Sequence, residues 1–220
     1  MLSSDLILKL RGLPPEARQL LLYVSNRTGD KFINIGKLKE DTHYTNEVIE
    51  KTLIKLANIN IIDKEHSLII MPLIKKLYKD EEELKITLNT ALLKYLIEHK
   101  TNIKEFIEIA GIQKVTKKTC LLFALLVDSR DWIDKHNGLR VDFPELKALL
   151  QIDKNKYLGT KDPTNDIQKQ LIRTPIRAIN KTLTSELDPD LYIFTYPKDD
   201  KKHTSVVFSL VSDDMESIEL

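Results

Sequence analysis

A single cysteine, Cys120, stands in the chain, which excludes an intramolecular disulfide; its place in the apolar run Cys120 to Val127 marks it as a small buried side chain. A reducing compartment follows, and the protein is expected to be cytoplasmic. No run of about 18 consecutive apolar residues is present to cross a bilayer. The opening segment MLSSDLILKLRG has neither the cationic start nor the cleavage site of a secretory signal. There is no glycine-rich loop followed by Lys and Ser or Thr to cradle a phosphate, and no Cys-x-x-Cys pair. The histidines, His43, His66, His99, His136 and His203, stand singly with no His-x-His pair, which removes the metal site of a rolling-circle nuclease. Enzymatic activity, a cofactor and a bound metal are therefore not expected. Nor is there an excess of one charge: 34 Lys and Arg face 33 Asp and Glu. Any affinity for nucleic acid must come from how the charge is distributed. The last nine residues, SDDMESIEL, carry four acids and no base, so the rest of the chain is more basic than the total suggests.

What is present is an ordinary globular composition, 42% apolar and 30% charged, enough to form a packed core. At 220 residues the chain accommodates two domains of about 100 residues each. In the first half, Leu13-Pro14-Pro15-Glu16 opens a helix carrying Ala17, Leu20, Leu21 and Val24 at helical spacing. Phe32 to Ile35 reads as a short strand, and Ile35 to Asp41 as a second helix. A third helix is capped by Thr45 or Asn46, buries Val48, Ile49, Thr52, Leu53 and Leu56, and ends at Asn58. Ile59 to Ile62 and Leu68 to Ile70 flank a polar turn as a hairpin, and Leu84 to Leu88 is a further strand.

The second half repeats the order with different residues. A helix spans Thr116 to Trp132, and a strand spans Leu139 to Phe143. Pro144 opens a short helix, and Asp162-Pro163 supplies the cap and first-turn proline of a long one reaching about Leu183. Leu191 to Tyr196 and Ser205 to Leu210 flank the turn Pro197 to His203. The expected fold is α+β and predominantly helical: two tandem winged helix-turn-helix domains, 1–102 and 103–220, each with a small β-hairpin wing.

The helix over 163–183 carries the candidate site. Lys169, Arg173, Arg177 and Lys181 recur every four residues, each about 40° from the last at roughly 100° per residue, and so share one face. Gln170, Thr174 and Asn180 fall on the same arc, while Ile167, Leu171, Ile172, Ile176, Ile179 and Leu183 lie opposite. Such a face suits a DNA major groove: Lys and Arg neutralise phosphates, and Arg, Gln and Asn hydrogen-bond base edges. Lys198, Lys201 and Lys202 at the hairpin tip add charge, offset in part by Asp199 and Asp200. Pro175 interrupts the pattern and predicts either a kink or a restart with Thr174 as N-cap. The third helix of the first half is less basic, because Glu47 and Glu50 offset Lys51 and Lys55.

The segment from Leu171 to Asn180 resembles the recognition-helix signature of the tandem winged-helix plasmid replication initiators that bind iterons, sharing Pro175, Ile179 and Asn180 with it. Leu13 to Tyr23 is similar to that family's opening helix, and Leu84 to Asn89 to the strand before its interdomain helix. Leu121 to Leu126 departs from the run usual in the second domain. The resemblance implies a sequence-specific binder of double-stranded DNA acting at repeated origin sites of a plasmid, phage or mobile element. It also implies dimerisation through the first domain, with auxiliary DNA contact, and recruitment of host replication proteins. A transcriptional regulator, or an interaction module without DNA binding, remains an alternative.

Overall fold

The computed structural model describes residues 2–26, 32–63, 69–99, 101, 103–112, 115–183 and 192–211. Helices and small antiparallel sheets form a mixed α+β structure that divides into two units, Met1–Gly111 and Ile112–Leu220. None of the described helices is long and apolar enough to cross a membrane.

The first unit runs α1 (Leu2–Arg11), α2 (Pro15–Ser25), β1 (Ile33–Asn34), α3 (Ile35–Thr42), α4 (Asn46–Ala57), β2 (Asn60–Asp63), β3 (Ile69–Pro72), β4 (Ile74–Lys79), β5 (Glu83–Leu88), α5 (Thr90–Glu98) and α6 (Ile103–Gly111). Local chemistry sets most of these ends. Pro15 sits in the first turn of α2, where its missing N–H costs no hydrogen bond. Asn34 and Thr45 accept the Lys37 and Val48 amides as N-caps, and His43 closes α3 in the left-handed conformation. Ile49, Thr52, Leu53 and Leu56 of α4 are buried as expected.

Helix α1 is not expected from the sequence. Its Leu6, Ile7 and Leu10 are fully buried, it packs on α6 and β2, and its Asp5 carboxylate accepts the Ile62 amide at 2.8 Å. The boundary between units falls after Gly111, not at the 102/103 junction read from the sequence, because α6 lies against α1 and α2 with Phe106, Ile107 and Ile109 buried.

The expected hairpin exists as β2 paired with β3, with Ile61 opposite Met71; its tip, 64–68, lies outside the described residues. The sheet that includes β1 is built from another hairpin. Strand β4, which the sequence does not announce, pairs with β5, and β5 pairs with β1, giving the antiparallel order β1-β5-β4.

The second unit runs α7 (Lys117–Asp128), α8 (Arg130–His136), β6 (Leu139–Asp142), α9 (Phe143–Leu149), α10 (Pro163–Ile167), a π-helical segment Gln168–Arg173, α11 (Thr174–Leu183), β7 (Tyr192–Thr195) and β8 (Ser205–Leu210). The single helix expected over 116–132 is broken at Ser129 into α7 and α8. Thr116 caps α7, and Asn137 ends α8 with positive φ. Every residue from Thr119 to Val127 is buried, including Cys120, so α7 is the central helix of this unit. Leu146, Leu171, Ile172, Ile179, Val206 and Phe208 complete the core around it. The sheet order is β6-β8-β7: the first strand pairs with the last and the last with the middle one, as in the first unit.

Candidate nucleic-acid interface

Asp162 caps α10 by accepting the Asn165 amide at 3.0 Å, with Pro163 in the first turn, as its sequence predicts. The helical backbone then continues to Leu183 without a restart. Thr174 has helical angles, φ −65° and ψ −47°, and is not an N-cap. Pro175 is accommodated by the π segment before it. The Thr174 amide donates to the Lys169 carbonyl five residues back. The next bond of that ladder would need an N–H on Pro175, and the Gln170 carbonyl instead receives the Lys118 ammonium at 3.4 Å. Burial and the nearby Lys156 lower the Lys118 pKa.

This wide turn also aligns the basic row. In an α-helix four residues overshoot a full turn by about 40°. A turn closed by bonds to the fifth residue rotates less per residue, so the step from Lys169 to Arg173 drifts against the later steps rather than with them. Lys169, Gln170, Arg173, Thr174, Arg177 and Lys181 are all exposed, while Leu171, Ile172, Ile176 and Ile179 are buried.

Asn180 is the exception among the expected contact residues. Its amide nitrogen donates to the Tyr192 carbonyl at 2.7 Å, and its carbonyl oxygen accepts the Tyr192 N–H at 3.1 Å. Both ends of the carboxamide tie α11 to β7, so the residue serves the fold rather than facing a base as its helical position suggests. Seven residues back along the helix, Arg173 lies beside Tyr196, whose pKa is raised by burial and held down in part by that guanidinium. The two anchors show the strand running back along the helix. Seven helical steps advance about 10 Å, and the four extended steps from Tyr192 to Tyr196 about 13 Å.

Beyond Tyr196 the hairpin carries Lys198, Lys201 and Lys202, all exposed. The acids there do not simply cancel them. Asp199 lies 3.4 Å from the Arg140 guanidinium. Asp200 is turned inward: its Oδ2 accepts the Thr204 amide (2.6 Å), Thr204 Oγ1 (3.0 Å), the Ser205 amide (2.7 Å) and Ser205 Oγ (2.9 Å). These bonds, the Thr204 amide foremost, hold its carboxyl far below the ordinary carboxylate range. Because the folded pKa is depressed, the bonds contribute stability at neutral pH, and it is lost as pH falls through the unfolded value, about 4, towards the folded one. The amide resonances of Thr204 and Ser205 should hold steady through pH 4 in an NMR titration and shift only in stronger acid. A midpoint near 4 would mean that Asp200 does not organise the turn.

A second group of bases is invisible to sequence reasoning. The buried Lys147 donates to the carbonyls of Lys154 and Lys156 at 3.1 and 2.7 Å, tying down the loop after α9. That loop exposes Lys154, Lys156 and Lys161 and brings Lys156 near Lys118. The loop lysines have no helical periodicity, so only the tertiary fold reveals their neighbours. On α4 of the first unit, by contrast, Glu47 meets Lys51 at 2.6 Å and Glu50 meets Lys79 at 3.0 Å, leaving no comparable basic row. Among the described residues no group of three or more His, Cys, Asp or Glu is placed to hold a metal. The chain matches no protein-family model and no curated protein.

Proposed function

We propose that this chain is a sequence-specific double-stranded DNA-binding protein of two winged helix-turn-helix units, acting as a replication initiator at repeated origin sites. The observation that carries the reading is the exposed row Lys169, Arg173, Arg177 and Lys181, set beside a hairpin tipped by Lys198, Lys201 and Lys202. The common strand order of the two three-stranded sheets supports the tandem winged arrangement. In this reading α11 and the π-helical segment before it enter the major groove, with Arg173, Arg177, Gln170 and Thr174 towards base edges, and the hairpin straddles adjacent phosphates. The first unit supplies the dimer contact and engages host replication proteins, and no strand is cut. A transcriptional regulator would use the same face at a single inverted repeat, whereas an initiator occupies tandem direct repeats.

The test is binding to duplex DNA from the flanks of the coding region, with and without its repeats, across a salt series. Affinity should fall steeply with salt. Replacing Lys198, Lys201 and Lys202 with Ala should flatten the log–log slope by about 0.9 for each phosphate that is no longer neutralised. Salt-insensitive binding, or equal affinity for repeat-free DNA of the same length, would overturn the reading.

A further inference from the structure

The β1-β5-β4 sheet of the first unit has one face in the core and one open. Alternation along β5 sends Leu84 and Leu88 inward and Glu83, Lys85 and Thr87 to the other side. The register puts Tyr78 opposite Lys85 and Lys76 opposite Thr87, and Phe32, just before β1, comes level with Lys85. A row forms across three strands. The Lys85 ammonium stands 5.2 Å from the centre of the Phe32 ring, and the Phe32 and Tyr78 rings lie 6.4 Å apart, edge to face. Both rings are half open, Phe32 at 46% and Tyr78 at 53% exposure. An irregularity in pairing between Ile74 and Lys76 brings Lys75 to the same shallow depression, which Lys76, Lys85 and Glu83 also line. Tyr78 is held by its hydroxyl, which donates to Asp80 at 3.1 Å, while Asp80 accepts the Glu82 and Glu83 amides and fixes the turn.

We propose that this face binds single-stranded nucleic acid, bases stacking on Phe32 and Tyr78 and phosphates meeting Lys75, Lys76 and Lys85. Open aromatic rings amid three lysines and one acid call for a partner that offers flat apolar faces and negative charge at short, regular intervals. An unpaired strand offers both. An acidic peptide supplies the charge without the faces, and a duplex keeps its base faces stacked inside. Lys85 lies over Phe32 in a surface contact weak enough for an arriving base to displace. The inference does not depend on the duplex-binding reading, which concerns the other unit.

The test uses the full chain and a fluorescent oligothymidylate of about 15 nucleotides, followed by anisotropy at fixed salt. The wild type should bind it. Replacing Phe32 and Tyr78 together with Ala should weaken binding at least about tenfold, whereas Tyr78→Phe should retain it, because the ring face remains. Lys75→Gln with Lys76→Gln, both at exposed sites, should lower the salt slope by about 0.7 for each phosphate they neutralise, and this pair decides the matter if the aromatic variant fails to fold. Replacing Arg173 and Arg177 should leave oligothymidylate binding unchanged, which separates this surface from the duplex face. The proposal is overturned if the wild type does not bind. It is equally overturned if the folded aromatic variant binds as well as the wild type, or if polyglutamate or a duplex of equal length competes as well as the unlabelled oligonucleotide.

Discussion

Replacing Arg173 and Arg177 together with Ala is expected to weaken binding to the specific repeat by about 2–6 kcal/mol, since each bidentate arginine–guanine contact discriminates by about 1–3 kcal/mol. The loss on random duplex should be smaller, because there the two side chains give only phosphate contacts. Both residues are exposed and four apart on the same face, so their removal leaves the buried row of Leu171, Ile172, Ile176 and Ile179 intact. Arg173 also lies beside Tyr196, so circular dichroism and thermal melting of the variant belong with the titration. Equal losses on repeat and random DNA would reduce the arginines to phosphate contacts. Unchanged affinity on both would remove this helix from the DNA interface.

Much of the second unit is legible in the sequence because its signals are local. Asp162-Pro163, Thr116 and the flanks of the turn after Tyr196 each act within a few residues, and each marks an element end in the structure. What the sequence hides depends on partners far along the chain. The apolar face of α1 has meaning only against α6 and β2, so in the sequence it reads as an ordinary opening segment. Strand β4 shows no alternation, since Lys75 through Tyr78 are all exposed, and it is recognisable only by pairing with β5. Pro175 looks like a break only if every bond is α-helical; bonding to the fifth residue needs one turn of wider helix and a donor from Lys118 to the Gln170 carbonyl, 52 residues apart in sequence. The site divides in the same way. A four-residue repeat is enough to find the exposed row Lys169, Arg173, Arg177 and Lys181, but Lys118 and Lys156 meet near it only through tertiary packing.

Asn180 carries the sharpest test of that division, because a helix-face carboxamide near a basic row reads in sequence as a base contact and in the structure as a clamp on β7. Asn180→Ala would remove the carboxamide that accepts from the Tyr192 N–H and donates to the Tyr192 C=O, and Tyr192 is 1% exposed, so water cannot take its place without opening the helix–strand seam. Leaving a buried backbone donor or acceptor unsatisfied costs about 1–3 kcal/mol, so the loss of both bonds should lower unfolding free energy in urea by about 2–6 kcal/mol. The conservative Asn180→Asp keeps the acceptor for the Tyr192 amide but sets a carboxylate against the Tyr192 carbonyl, and it should destabilise as well. Affinity for repeat and random duplex should then fall together, because the seam positions both α11 and the lysine-tipped hairpin. A base-reading asparagine behaves in the opposite way: Asn180→Ala would leave the urea midpoint unchanged and reduce binding only on the specific repeat. That outcome would return Asn180 to the recognition surface and require the α11–β7 seam to be held by other contacts.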